Sequence, residues 1–171
     1  ATQNPIEYEG TYPLPEAQLD RFLLKLHVGY PTADQEQEVL RRHDAGLDPH
    51  DVASLVNPVA SVADLAAARA LVDDVRVEEP VLAYVVQLAR ATRESASLVL
   101  GVSPRGSAML LHAAKAWAWL SGREFVTPDE VKAMAKPALR HRVQLRPEVE
   151  LDGVTVDNVL DGVLATVPVP R

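Results

Sequence analysis

Three side chains in this 171-residue chain are of types that handle phosphate, and each stands near the end of a local element. Arg105 falls in Gly101-Val-Ser-Pro-Arg-Gly106, where Ser103 reads as a helix N-cap and Pro104 as the first helical residue. The free amides and dipole of a helix N-terminus favour anions, and a guanidinium there can fork onto a phosphate approaching the same spot. Arg21 follows Asp20 at the end of Pro15-Glu-Ala-Gln-Leu-Asp-Arg21, a short predicted helix. In a ring of subunits such an Arg can reach a neighbour's phosphates and offset developing charge. Asn4, in Ala1-Thr-Gln-Asn-Pro5, carries an amide that can orient an attacking water or contact a terminal phosphate. Each residue also has a plain structural explanation. Arg105 can be a surface cation, Arg21 can pair locally with Asp20 or Glu16, and Asn-Pro can simply start a turn.

Other chemistries are poorly supported. Gly101 and Gly106 match the opening of a phosphate loop, but Ser107 and Ala108 stand where Lys and Ser/Thr belong. Pro104 also removes an amide that would cradle phosphate, and no other segment offers a Walker A pattern. The chain has no Cys, which excludes thiolate catalysis and Cys-ligated zinc and fits a reducing cytoplasm. Its five His form no metal-binding pair at helical spacing, and His50-Asp51 is only a weak metal candidate. Glu7 and Glu9 are carboxylates without an assigned role, whereas Asp129 and Glu130 are explained by helix capping. Arg140-His141-Arg142 reads as the basic last turn of a helix rather than a nucleic-acid patch. The formal charge of −7, from 17 basic and 24 acidic residues, gives no electrostatic case for nucleic acid. No apolar run has the length of a membrane span.

The elements that must position these residues are mostly helical. Phe22 to Val28 is apolar, bounded by Gly29 and Pro31, and predicts a buried strand. Beyond Pro31 the period becomes helical. A helix from Thr32 to about Asp44 is expected to bury Val39 and Leu40, and a short one follows Asp48-Pro49 through Val56. Ser61 and Asp64 suggest a cap before a third. A helix from Glu79 to about Ser95 is expected to bury Leu82, Val85, Val86 and Leu88. The helix after Ser103 carries Met109, Leu110, Ala113, Trp117 and Leu120 at helical spacing, and Gly122 ends it. Trp117 and Trp119 must face different ways, one toward the core. Thr127-Pro-Asp-Glu130 is a capping box for a helix to about His141, and a last helix follows a loop or short hairpin.

The order of these blocks is distinctive. Ala1-Thr-Gln-Asn-Pro5, Glu9-Gly-Thr-Tyr-Pro-Leu-Pro-Glu-Ala-Gln-Leu-Asp-Arg-Phe22 and Val28-Gly-Tyr-Pro31 resemble MoxR-family AAA+ ATPases. The resemblance continues through Gly101-Val-Ser-Pro-Arg105, Gly122-Arg-Glu-Phe-Val-Thr-Pro-Asp-Glu-Val131 and Val167-Pro-Val-Pro170, so it covers essentially the whole chain. It implies a mainly α fold: a helical lid bundle over residues 31–171, preceded by a strand-containing end of an α/β ATPase core at 1–30. It further implies that Asn4 is the sensor 1 residue, Arg21 the arginine finger and Arg105 the sensor 2 Arg of the lid. Whether Arg105 acts within its own subunit or across an interface stays open.

The resemblance also implies a hexameric, cytoplasmic, chaperone-like parent that uses ATP and Mg2+ to mature partner proteins or insert a metal or cofactor. Its partners would be its own ATPase core, neighbouring subunits and a von Willebrand factor A-like protein. The Walker A and Walker B residues of such an enzyme are not in the chain, so it reads as part of a complete ATPase. Alone, it is expected to bind no cofactor and to be inactive. Its unpaired strand at 22–28 would then self-associate, swap or stay disordered. Two other readings are a non-catalytic helical interaction module derived from such a lid and a nucleic-acid-remodelling relative. The acidic balance counts against the latter.

Overall fold

Helix starts in this chain are marked by caps, and the caps decide where most elements begin. A computed structural model describes residues 1–2 and 14–170. Helix α1 is a single turn, Glu16–Leu19, entered through Pro15. Helix α2, Ala33–Asp44, opens on a complete capping box between Thr32 and Gln35. A 3-10 helix, Pro49–Leu55, follows Asp48, whose carboxylate accepts the His50 amide at 2.8 Å. Before α3, Val62–Asp74, the Asp64 carboxylate accepts the Ser61 amide at 2.7 Å while Ser61 Oγ accepts the Asp64 amide at 3.1 Å. Helices α4 (Glu79–Glu94), α5 (Pro104–Leu120), α6 (Pro128–Leu139), α7 (Pro147–Leu151) and α8 (Val156–Thr166) complete the helical set. Strands β1, Leu98–Leu100, and β2, Gln144–Leu145, pair antiparallel with Leu98 opposite Leu145. The mainly α fold expected from the sequence is the fold observed.

The chain divides into two compact units, residues 26–71 and residues 1–25 with 72–171. In residues 26–71 no described residue is buried. Val39 and Leu40, expected to face a core, are 48% and 66% exposed. They are adjacent in a helix otherwise made of Ala, Asp, Gln, Glu, Arg and His, and two neighbours do not line one face.

The larger unit holds the core. Along α4 the buried stripe is Val81, Tyr84, Val85, Leu88, Ala89 and Thr92, a clean i, i+3, i+4, i+7 series. Val85 and Leu88 are buried as expected, but Leu82 is only half-buried and Val86 is exposed. The expected face was thus one position out of phase, because Tyr84 and not Leu82 points inward. Helix α5 buries Leu110, Ala113, Ala114 and Ala118, and α6 buries Val131, Ala135, Ala138 and Leu139. Small residues on both let their backbones approach, and α5–α6 is the most extensive helix pair. Trp119 packs on this core, whereas Trp117 and Leu120 are exposed.

The strand predicted at Phe22 to Val28 does not form. The segment has no regular hydrogen-bonding pattern, Phe22 and Leu23 are partly exposed, and Val28 is almost fully so. A strand needs a ladder partner, and among the described residues none pairs with this one. The Lys25 amide instead donates to the Pro137 carbonyl at 2.8 Å, and Leu24 packs on the helical core.

Candidate phosphate site

Helix α4 places the loop that launches α5. Thr92, fully buried near its C-terminus, donates through Oγ1 to the Ala89 carbonyl at 2.7 Å and accepts the Val102 amide at 3.0 Å. The next residue, Arg93, donates through Nε to the Val102 carbonyl at 2.7 Å. Gly101 lies so close to this helix that a Cβ there would stand 2.6 Å from Arg93 Cα and 2.7 Å from Arg93 N. Glycine is therefore required by close backbone approach and not by phosphate binding. Ser103 then caps α5, its Oγ accepting the Gly106 amide at 3.0 Å. Arg105 follows Pro104 in the first turn, exposed, as the sequence predicts.

Arg21 and Arg105, 84 residues apart in sequence, line one open cavity of about 300 Å3 with Met109. Both are exposed, and among the described residues neither guanidinium makes an ion pair. The Asp20 carboxylate, offered by the sequence as a local partner of Arg21, is engaged elsewhere. Two cations that face one concavity, with no carboxylate partner among the described residues, suit a polyanion such as a phosphate chain. Among the described residues no carboxylate lines the cavity. Asn4, Glu7 and Glu9 lie outside the described residues. Among those described, no group of three or more His, Asp or Glu is placed to hold a metal, and the Asp51 side chain of the His50-Asp51 candidate lies outside the described part.

What sequence reasoning missed is Arg142. It was expected in the basic last turn of a helix, but it follows α6 and its side chain is wholly inaccessible. Its Nε donates to Asp20 Oδ1 at 3.0 Å. Nη1 donates to the carbonyls of Leu23 at 3.1 Å and Ala138, and Nη2 to those of Asp20 at 3.2 Å and Phe22. These five acceptors account for all five N–H donors of a guanidinium. His141 Nε2 lies 2.9 Å from the Phe22 carbonyl and 2.7 Å from Arg142 Nη1. With the guanidinium hydrogens given to the five oxygens, the neutral imidazole is assigned the tautomer that donates from Nε2 to Phe22, and its buried Nδ1 has no partner among the described residues. Burial first, and then the positive charges of Arg142 and Lys25, hold its pKa below the ordinary histidine value, against the opposing pull of the Phe22 bond. For Arg142 burial lowers the pKa, Asp20 opposes the shift, and nearby Arg105 adds to it. Arg140, third of the basic run with these two, pairs with Asp157 at 3.0 Å. The one available signal was the apolar context: Ala138 and Leu139 before this run and Val143 after it are all buried.

Gly106 completes the arrangement. A Cβ there would stand 2.7 Å from Val102 Cγ1 and 2.9 Å from Arg142 Cδ, so its absence makes room for the Arg142 stem. Both glycines that mimic a phosphate loop are thus packing glycines.

Comparison with known proteins fits this arrangement. Residues 90–163 match the AAA lid domain, and residues 1–24 match the ATPase family associated with various cellular activities. The fold is that of an AAA lid domain preceded by a segment that matches the AAA ATPase family. The chain is 42% identical over 170 residues to YeaC, an uncharacterised Bacillus subtilis protein, covering 99% of this chain and 52% of that one. It is 37% identical to the chaperone MoxR1 of Mycobacterium tuberculosis, covering all of this chain and 46% of MoxR1. A crystal structure of a Cytophaga hutchinsonii protein, provisionally described as an ATPase, superposes with a TM-score of 0.87 at 32% identity. That match covers 99% of this chain and 53% of the other. The chain belongs to the MoxR family of AAA ATPases, and it spans about half the length of the relatives it matches.

Proposed function

We propose that Arg21 and Arg105 act together on the terminal phosphates of an ATP held by an adjacent subunit of a ring. The observation that carries this reading is the convergence of the two guanidiniums on one cavity. An arginine finger serves the neighbour's nucleotide, so a sensor 2 Arg beside it on the same surface serves that nucleotide too. On this reading Arg105 acts across the interface. Residues 1–30 would be the end of the ATPase core and 31–171 the lid. Asn4 would be the sensor 1 residue of its own subunit.

Within this reading the chain's own residues bind and orient phosphate. Each guanidinium forks onto phosphate oxygens and offsets the charge that grows as the bond to the leaving group breaks. Mg2+ in the complete enzyme supplies further neutralisation of that charge. The complete protein would be a cytoplasmic, hexameric, chaperone-like ATPase. It would act on partner proteins, including ones with von Willebrand factor A-like domains, in maturation or in metal or cofactor insertion. MoxR1 carries the name chaperone, which supports the class of activity. Among the described residues no helix is long and apolar enough to cross a membrane.

The test is hydrolysis of ATP by the full-length protein with Arg21→Ala or Arg105→Ala, mixed at increasing dose into the unsubstituted protein. A loss steeper than proportional for both variants is expected, of the 10³-fold order or more known for arginine fingers when all subunits are substituted. Undiminished activity would turn the assignment toward a non-catalytic interaction module.

A further inference from the structure

Phosphate binding by two arginines does not by itself require them to be joined, yet here they are. Asp20 immediately precedes Arg21, and Ser103 caps the helix whose first turn holds Arg105. Ser103 Oγ donates to the Asp20 carboxylate, 3.2 Å from each oxygen. One carboxylate therefore links the two backbone stretches that bear the guanidiniums, across 83 residues of sequence. Arg142 holds that carboxylate from beneath. Of its five acceptors, four lie in residues 20–23 and one on α6, so its donors are given almost wholly to fixing the segment that carries Arg21. A simple ion pair would need only the carboxylate.

We infer that Asp20, Ser103 and Arg142 are positioning residues that hold Arg21 and Arg105 at one fixed separation, so that the pair engages a phosphate chain as a unit. The inference rests on the phosphate reading of the cavity. None of the three residues touches the nucleotide; each acts through the arginine it places. The Ser103 hydroxyl has two jobs, donating its proton to Asp20 and accepting the Gly106 amide. Breaking the Asp20 link thus leaves a capped helix but frees the relative position of the two guanidiniums.

The experiment measures kcat and KM for ATP hydrolysis by the full-length protein. Arg21→Ala, Arg105→Ala and their double variant are each made in the native and the Asp20→Asn background. In the native background the double variant should be about as slow as the slower single one, as for residues that act as one unit. In the Asp20→Asn background kcat should fall by roughly 10- to 100-fold with KM for ATP within about twofold, because a misplacement near 1 Å can cost about a hundredfold. There the two alanine effects should become smaller and multiplicative. A general loss of folded protein would change the active fraction without altering how the two effects combine. Should Asp20→Asn fail to fold, Ser103→Asp takes its place, since its carboxylate can still accept the Gly106 amide and cap α5 but has no proton to donate to Asp20. Native kcat in these backgrounds, or unchanged non-additivity, would overturn the inference while leaving the phosphate reading in place. Hydrolysis indifferent to both alanine substitutions would overturn both.

Discussion

Arg142 and Asp20 form a pair whose energetics follow from burial. The guanidinium is wholly inaccessible and the carboxylate side chain is 23% exposed. Removing one partner leaves an uncompensated charge in the interior, and such changes cost about 3–5 kcal/mol. Asp20→Ala and Arg142→Ala should each lower stability by that order, measured by urea unfolding. The double variant should be far less destabilised than the sum, because the second change removes the orphaned charge. Gly106→Ala presses a methyl group onto Val102 and Arg142 and should cost about 1–3 kcal/mol. A Gly106→Ala protein as stable as the parent would mean that the Arg142 stem can move aside. At His141 the sign is set by a neutral folded form. The unfolded chain takes up a proton near the ordinary value of 6.5, while the folded chain resists it. Stability from this group is complete above that pH and is lost as pH falls through 6.5 toward the lowered folded value. Thermal midpoints should drop over that window, and His141→Gln should flatten it. A parent already flat there would remove the assigned neutral state.

Among the elements, the caps differ in weight according to burial. Thr155 caps α8 in an exposed box with Asn158, so Thr155→Ala should cost about 1 kcal/mol. Glu130 of the Thr127 box is buried and also receives Arg123. Burial raises its pKa, but the Thr127 hydroxyl and amide and Arg123 outweigh that and bring it below the ordinary value. Glu130→Ala should therefore cost more than Thr155→Ala, about 1–3 kcal/mol, because it leaves the Thr127 amide and Arg123 without their acceptor. Equal chemical-denaturation losses for the two would refute that ranking. Helix starts were legible in the sequence because a cap is a local pattern of side chain and amide within four residues. The buried phase of α4 was not, because Leu82 and Val86 fit a helical period as well as Val81 and Tyr84, and only the facing helices select between them.

Over the whole chain, protection should be uneven. Residues 26–71 contain no buried described residue, whereas the larger unit holds the apolar core. Local opening costs little where few apolar contacts are lost. Amide exchange in α2 and α3 up to Leu71 should be fast, and that in α4, α5 and α6 slow, in native-state hydrogen exchange. Equal protection in the two would show that residues 26–71 gain their stability from a partner, such as a neighbouring subunit.

The sequence by itself determined the helical class, the capped starts, the order of blocks that marks the family, and Arg21 and Arg105 as candidates. All of these are local or depend on order along the chain. Only tertiary structure decided that the two arginines share a cavity and that Asp20 faces Arg142 rather than Arg21. It likewise decided that Gly101 and Gly106 serve packing, and that residues 22–28 lack a strand partner among those described. Each of these turns on groups that are far apart in sequence and meet through the packing of α4, α5 and α6. No spacing of residue types encodes which carboxylate a buried guanidinium will reach.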